Sequence, residues 1–259
     1  MRQLGLIGKT LSHSFSKSYF EEKFQRENIT GFSYELFELP DIQDIRAFIQ
    51  QHPDIIGFNV TIPYKQAIIP YLDALSEEAA AVGAVNTVTI QHIDGQIIAK
   101  GYNTDITGFR QSLENVAIPD RALVLGSGGA SAAVTHVLEN LGCRCTVVSR
   151  NPKRGLPYSA LTPETVAQHK LIVNCTPLGT YPNINEKPDI PYAGISGEHY
   201  LYDLVYNPSE TAFLKEGIRH GAKVQNGLKM LHAQAEAAWF LWTETQNFAS
   251  LQNVISGSE

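Results

Sequence analysis

The sequence predicts an α/β fold in two domains. Strand-like and helix-like segments alternate between residues 4 and 60, which is typical of an α/β layer. The alternation breaks at Ile118, Pro119 and Asp120 and restarts at residue 122 with a complete βαβ unit. A chain of 259 residues is long enough for two domains of ordinary size. We place a domain boundary near Asn103.

Hydrophobic spacing defines the elements before that boundary. Ser18 and Glu21 match a capping box, which leaves the start of the first helix open. Asp41 opens a second helix, and Asp94-Gly95 is a strong hairpin signal between two strands. The predicted strands are 4–7, 32–39, 55–60, 85–91 and 96–100, and the predicted helices are 16–26, 41–49 and 76–82.

The second half repeats the alternation around a glycine-rich turn. Gly142 ends the helix that follows this turn, and residues 183–191 are polar and contain proline, so they form a loop. The final helix, 228 to about 245, buries Leu231, Ala235, Ala238, Trp239 and Trp242. The predicted strands are 122–125, 145–149, 171–175, 200–205 and 223–225, and the other predicted helices are 105–116, 130–141 and 209–220.

Composition excludes several classes of protein. With 43% hydrophobic and 18% charged residues the chain can form a core, and its net charge of −6 argues against a nucleic-acid partner. Three cysteines, Cys143, Cys145 and Cys175, suit a reducing compartment. The eight histidines lack ligand spacing, so we expect no metal site. The amino terminus is unlike a signal peptide and the chain has no apolar run of about 20 residues, so we expect a cytoplasmic protein without membrane association.

Lys65 is the first candidate catalytic residue. It follows the apolar segment 55–58, and Pro63 forces a turn and suits the first position of a helix, entered from Thr61 or Ile62. Lys65 then lies in the first turn, where the helix dipole disfavours a cation and favours a lysine that releases its proton. The alternative is a solvated surface lysine.

A glycine loop predicts a dinucleotide site. The run Gly126, Ser127, Gly128, Gly129, Ala130 and Ser131 follows a strand and opens a helix, which is the context that makes the pattern informative. Gly126 permits the tight turn, and Gly128 lets the backbone approach a pyrophosphate that rests on the helix N-terminus. The alternative is a purely structural turn.

The end of the next strand favours NADP over NAD. An NAD enzyme places Asp or Glu about 20 residues after the glycine loop to bind the ribose 2′-hydroxyl. Here the strand ends in Ser149, Arg150, Asn151, Pro152, Lys153 and Arg154, with three cations and no carboxylate. Arginine can bind a 2′-phosphate with a planar fork of donors. A solvated basic loop is the alternative.

Eight ordered motifs resemble the shikimate dehydrogenase family over essentially the whole chain. They are residues 12–16, 59–65, 83–87, 103–105, 126–131, 174–179, 202–208 and 227–231 with Gln234. The resemblance implies NADPH-dependent reduction of 3-dehydroshikimate to shikimate, on the pathway to chorismate and the aromatic amino acids. It implies a substrate domain of residues 1–103 and 227–259 and a Rossmann-like, doubly wound NADP-binding domain of residues 104–226.

The resemblance also assigns roles residue by residue. The catalytic pair would be Lys65, as general acid and base, with Asp105. The substrate carboxylate would contact Ser14 and Ser16, and its hydroxyls Thr61, Asn86, Asp105 and Gln234, with Tyr206 nearby. NADP would lie on the loop from Gly126 to Ala130 and on Ser149, Arg150, Asn151 and Arg154, with Leu204 and Gly227 near the nicotinamide.

Some positions depart from the family pattern, and some roles have simpler explanations. Lys17 stands where the family usually has proline, Gly8-Lys9-Thr10 replaces Gly-x-Pro, Ser149-Arg150-Asn151 replaces Asn-Arg-Thr, and Thr180 replaces a common methionine. Ser14 and Ser16 could be capping serines, Asn86 a turn residue, and Gln234 a polar position on a mostly buried helix.

Two other functions compete with this reading. One is an NAD-dependent enzyme that also uses quinate, against which Arg150 argues. The other is a catalytically silent sensor of shikimate-like ligands, which would lack Lys65 or Asp105. We expect a small-molecule substrate, and we keep a homodimer as an option for the quaternary structure.

Overall fold

The computed structural model describes residues 1–11, 15–93 and 95–256, with side chains as far as residue 244. It divides into two compact units, one of Met1–Thr104 with Ala235–Glu259 and one of Asp105–Gln234. The predicted domain limits were residues 103 and 226. The assignment of one domain to substrate and the other to NADP concerns function and stays a prediction.

The first unit is built on a six-stranded mixed sheet with the strand order β2-β1-β3-β5-β6-β4. β1 pairs in parallel with β2 and β3, whereas β5 is antiparallel to β3 and β6. The β5–β6 hairpin is confirmed, although Asp94 of its turn lies outside the described residues. The strands are β1 (Arg2–Gly8), β2 (Phe32–Glu38), β3 (Ile55–Val60), β4 (Ala74–Leu75), β5 (Thr87–Ile93) and β6 (Gln96–Tyr102).

Helices cover both faces of this sheet. On one face, Phe20 of α1 stacks on Tyr34 at 4.5 Å between ring centroids, and Trp242 donates its indole N–H to the Val88 carbonyl at 3.0 Å. On the other face, Ile45 and Ile49 of α2 pack against buried residues of β1 and β3. The helices are α1 (Phe15–Arg26), α2 (Ile45–Gln51), α3 (Tyr64–Ala67) and α4 (Glu77–Val82), and the long α9 (Leu228–Ser256) contributes Ala235, Ala238 and Trp242 to the core.

The second unit is built on a five-stranded parallel sheet with the order β11-β10-β9-β7-β8. Counted from β7, this is the order 2-1-3-4-5 of a doubly wound fold, whose ligands bind at the carboxyl ends of the strands where the order reverses. That switch point lies between β7 and β9. The predicted α/β class, with a doubly wound sheet in the second half, is confirmed. The strands are β7 (Arg121–Leu125), β8 (Arg144–Val148), β9 (Leu171–Asn174), β10 (Tyr200–Asp203) and β11 (Lys223–Gln225).

The helices of the second unit surround a core of aliphatic strand residues. Phe213 and Leu214 of one helix and Val166 of another are buried there, together with Leu123, Ile172 and Leu201 of the sheet. The helices are α5 (Thr104–Ser112), α6 (Gly129–Asn140), α7 (Pro163–Gln168) and α8 (Ala212–Arg219).

Several predicted helix limits were wrong because local caps override spacing. α1 begins at Phe15, so Ser18 is an interior residue and the capping box does not form. Asp41 does accept a hydrogen bond from the Gln43 N–H at 3.0 Å, but it caps a 3₁₀ turn that precedes α2. Pro63 is the residue before α3, not its first residue.

The other differences have the same kind of cause. α5 ends at Ser112, and Asn115 beyond it has a φ of +70°, a left-handed conformation that a helix cannot continue through. α8 begins at Ala212 because Thr211 caps it by accepting from the Leu214 N–H. The sequence reading missed α7 and the two-residue β4, and it ended α9 too early.

Candidate active site

Lys65 lies in the first turn of α3, as predicted, directly after the carboxyl end of β3. The side chain is half-buried. The Lys65 carbonyl accepts the Val85 N–H at 2.7 Å, and the preceding Tyr64 is buried with its hydroxyl bonded to the Leu39 carbonyl at 2.6 Å. The short helix is therefore held firmly at a strand end, which fixes where the lysine stem starts.

Asn86 is buried at the start of β5, with 3% of its surface exposed. Its Oδ1 accepts the Thr104 backbone N–H at 2.7 Å and the Thr87 hydroxyl at 3.1 Å. Its Nδ2 donates to the Thr104 hydroxyl at 3.0 Å. Asn86 is thus a fixed member of a buried polar cluster, not an exposed turn residue.

The remaining predicted substrate residues of the first unit lie near helix and strand ends. Ser14, together with Ser12 and His13, lies outside the described residues. Ser16 is half-buried in the first turn of α1 and shares a hydrogen bond with the Tyr34 hydroxyl. Thr61 is half-buried, and its backbone N–H donates to the Ile7 carbonyl at 2.9 Å.

Two further predicted substrate residues of the second unit come close together. Asp105, 6% exposed, is in the first turn of α5, where the helix dipole favours a carboxylate. One turn later on the same face is Gly108, where an added Cβ would be 2.7 Å from the Met230 carbonyl oxygen and 2.9 Å from Gln234 Cβ. The small residue lets α5 approach α9, which brings Gln234 near Asp105. Gln234 Nε2 donates to the Leu231 carbonyl at 2.9 Å.

The glycine loop has the conformation that a pyrophosphate site needs. Gly126 has a φ of +113°, which is costly for any other residue, and Gly128 is the N-cap of α6. An added Cβ on Gly128 would meet no atom within 4 Å, so the backbone there faces open space. The Ser131 hydroxyl donates to the Gly126 carbonyl at 2.7 Å and closes the turn. Gly129 and Ala130 begin the helix.

The basic loop after β8 is hydrogen-bonded to the glycine loop. Ser127 and Ser149 share a hydrogen bond of 2.8 Å between their hydroxyls, and Ser149 Oγ accepts the Asn151 N–H at 3.1 Å. Arg150 and Arg154 are exposed. In the described part of the chain, no carboxylate forms an ion pair with either arginine or with Lys153. These unpaired cations and the open glycine loop fit the 2′-phosphate and pyrophosphate of NADP.

Leu204 and Gly227 are in direct contact. An added Cβ on Gly227 would lie 2.1 Å from the Leu204 carbonyl oxygen, so only glycine allows the two segments to approach this closely. Leu204 follows β10, whose carboxyl end is next to that of β9 in the sheet. Tyr206, two residues on, is half-buried, and burial raises the pKa of its hydroxyl.

Asp203 supports this strand end and was missed as a functional residue by the sequence reading. It has no exposed surface and accepts hydrogen bonds from Thr211 Oγ1 at 2.6 Å, Asn174 Nδ2 at 2.9 Å and the Val205 N–H at 3.0 Å. Burial raises the pKa of Asp203 to about 6, and the hydrogen bonds oppose that rise. A buried carboxylate at a parallel strand end was the available signal, because the motif that contains it was recognised but assigned no role.

Two searches of the described residues bear on other kinds of site. None of the helices described combines the length and the apolarity needed to cross a bilayer. Within the same residues, no group of three or more His, Cys, Asp or Glu side chains is arranged to hold a metal ion.

Comparison with known proteins gives consistent matches. A family model described as the shikimate dehydrogenase substrate binding domain matches residues 6–88. A relative from Clostridium botulinum named shikimate dehydrogenase (NADP(+)) is 38% identical over 256 residues, covering 93% of this chain and 96% of the relative.

Solved structures with the same fold match over a similar length. Shikimate 5-dehydrogenase from Thermus thermophilus, in complex with NADP(H) and shikimate, has a TM-score of 0.81 and 33% identity, covering 94% of each chain. Quinate dehydrogenase from Corynebacterium glutamicum, in complex with NAD, has a TM-score of 0.82 and 28% identity, covering 93% of each chain.

Proposed function

Because the chain belongs to the shikimate dehydrogenase family, we propose that it catalyses the reversible NADPH-dependent reduction of 3-dehydroshikimate to shikimate. The family predicted from the sequence motifs is confirmed. The observation that carries the proposed reaction is similarity over 93% of the chain to a relative named for that activity and cofactor. A cytoplasmic location, a homodimer and the lack of a nucleic-acid partner stay predictions.

The cofactor half of the proposal rests on the second unit. NADPH, when bound, supplies the hydride. The backbone N–H groups at the N-terminus of α6 would receive the pyrophosphate, since Gly128 leaves that approach open. Arg150 and Arg154 would hold the 2′-phosphate, because they are exposed cations without an ion pair in the described part of the chain. Leu204 and Gly227 would border the nicotinamide at the neighbouring strand end.

The proton-transfer half rests on Lys65 and Asp105. A hydride that reaches the ketone carbon creates a developing alkoxide, and an ammonium group within hydrogen-bonding reach stabilises that charge and then donates its proton. Lys65 would be this acid in reduction and the base in the reverse direction. Asp105 would orient the ammonium and accept a hydrogen bond from a substrate hydroxyl. The firm attachment of α3 at the end of β3 supports such a role, because a general acid must be held in place.

Substrate recognition would use short polar side chains. Ser14 and Ser16 would bind the carboxylate, and Thr61, Asn86 and Gln234 the ring hydroxyls, with Tyr206 beside them. The fixed, buried setting of Asn86 favours this assignment, because a preorganised amide loses little freedom when a ligand binds.

A second candidate is an NAD-dependent enzyme that acts on quinate. It is favoured by the structural similarity to the quinate dehydrogenase of Corynebacterium glutamicum. Ser149 and Arg150 oppose it, because NAD recognition places a carboxylate at the end of this strand.

The test is the change in nicotinamide absorbance with four pairs of reactants, shikimate or quinate with NADP+ or NAD+. We expect kcat/KM to be highest for shikimate with NADP+, by about tenfold or more over NAD+ when arginine binds the 2′-phosphate. The fastest turnover with quinate and NAD+ would favour the second candidate. Ligand binding without turnover of any pair would indicate a silent sensor and overturn both proposals.

A further inference from the structure

The orientation of the Asn86 amide is dictated by its neighbours. The Thr104 backbone N–H, which can only donate, lies 2.7 Å from one atom of that amide, so this atom must be the oxygen. The Thr87 hydroxyl reaches the same oxygen at 3.1 Å. The amide nitrogen is therefore the end on the opposite side.

A second amide is oriented in the same way one step further away. Asn59 Nδ2 lies 3.2 Å from the Asn86 carbonyl oxygen, which can only accept, so the nitrogen of Asn59 is on this side. The same Nδ2 donates to Thr87 Oγ1 at 3.1 Å. Asn59 Oδ1 then faces Tyr34, whose hydroxyl donates to it at 2.8 Å.

These constraints give Thr87 one consistent role. Its oxygen accepts from Asn59, and it also lies 3.1 Å from Thr104 Oγ1, which accepts from Asn86 Nδ2. A ring satisfies every contact if Asn86 Nδ2 donates to Thr104, Thr104 donates to Thr87, and Thr87 donates back to Asn86 Oδ1. Thr87 has no exposed surface, so it cannot reach a ligand itself.

We propose that Thr87 is a positioning residue that holds the Asn86 side chain with its oxygen turned into the protein and its nitrogen turned towards the substrate. Asn86 then recognises a substrate hydroxyl as a hydrogen-bond donor to the hydroxyl oxygen. This inference rests on the proposed function, which makes Asn86 a substrate contact. Without the Thr87 hydroxyl, Asn86 Oδ1 and Asn59 Nδ2 each lose a partner in a buried setting, and the amide can turn.

The test compares substitutions on one face of one strand. Thr87→Val removes the hydroxyl and keeps the branched shape, and Thr87→Ser restores the hydroxyl. Thr89→Val is the matched control, because Thr89 is buried two residues along β5 and takes no part in the ring. Should Thr87→Val fail to fold, Thr87→Ala removes the same hydroxyl without filling the site. Thermal unfolding checks each variant.

We expect Thr87→Val to raise KM for shikimate about tenfold, the effect of losing about 1.4 kcal/mol of hydrogen bonding. KM for NADP+ and kcat should change less than about threefold, since uniform substrate binding is what is lost. Thr87→Ser and Thr89→Val should keep the wild-type KM. Calorimetry should show the same loss of shikimate affinity.

Different results would remove different parts of the account. If the wild type oxidises shikimate but Thr87→Val keeps its KM, or Thr89→Val raises KM as much, the positioning role is wrong and the proposed function stands. If the wild type neither binds nor oxidises shikimate, the proposed function fails and the inference fails with it.

Discussion

Replacing Asp203 with asparagine should change how stability depends on pH. Asp203 is fully buried at the end of β10 and accepts three hydrogen bonds, the shortest of 2.6 Å from Thr211. Burial raises the pKa of Asp203 to about 6 in the folded protein. In the unfolded chain an aspartate titrates near 3.9. Asparagine has nearly the same shape but does not titrate in this range.

The sign follows from where the proton is bound more tightly. Between pH 4 and 6 the folded protein holds a proton that the unfolded chain has lost, so folding becomes less favourable as pH rises. A pKa difference of about 2 corresponds to about 3 kcal/mol, which is complete above pH 6. The stability of the wild type relative to Asp203→Asn should therefore fall by about 3 kcal/mol from pH 4 to pH 7 and then stay level.

Urea unfolding followed by circular dichroism at several pH values measures this difference. Tryptophan fluorescence is unsuitable, since both tryptophans, Trp239 and Trp242, lie outside the unit that contains Asp203. Asp73→Asn is the control of opposite sign. Arg46 at 2.6 Å lowers the pKa of Asp73, so its contribution is present above pH 4 and is lost as pH falls. A level difference between wild type and Asp203→Asn from pH 4 to 7 would refute the reasoning.

Two further substitutions test other parts of the account. Arg150→Ala should raise KM for NADP+ about tenfold to a hundredfold, the range for hydrogen bonds to a charged group, and leave KM for NAD+ within about twofold. Arg144→Ala, at the other end of β8, should change neither constant, and an equal change for both cofactors with Arg150→Ala would contradict a 2′-phosphate contact. Gly57→Ala would place a Cβ 2.3 Å from Trp242 Cδ1 and 2.7 Å from the Val88 carbonyl oxygen, and should cost about 1–3 kcal/mol in urea unfolding followed by tryptophan fluorescence. Gly197→Ala, whose Cβ would have no neighbour closer than 3.5 Å, should cost little, and equal costs for both would contradict the packing argument.

Much of the architecture could be predicted from the sequence because strands and glycine turns leave local signals. The strand 55–60 and the short strand 223–225 have the predicted limits, and the glycine loop joins a strand to a helix as expected. Asp41 and Thr211 show where local reasoning was insufficient. Their side chains decide the starting points of a 3₁₀ turn and of α8, and spacing alone does not reveal which polar residue forms the cap.

The candidate site was predictable where a motif names a residue and unpredictable where the tertiary structure supplies the partner. Lys65 and Gly126 are identified by the segments that contain them. Thr87, Asn59 and Tyr34 form one hydrogen-bonded chain although Tyr34 is 25 positions from Asn59. Nothing in the local pattern around Tyr34 indicates that pairing, because it depends on β1 lying between β2 and β3 in the sheet.

Steady-state turnover of the Lys65→Ala variant tests the central claim most directly. With shikimate and NADP+, kcat followed at the nicotinamide absorbance band should fall by roughly 10²–10⁴, the scale of a lost general acid, with much less change in KM. Lys223→Ala, at an exposed position on β11, should behave as the wild type. A folded Lys65→Ala protein that keeps most of the wild-type turnover would contradict the account.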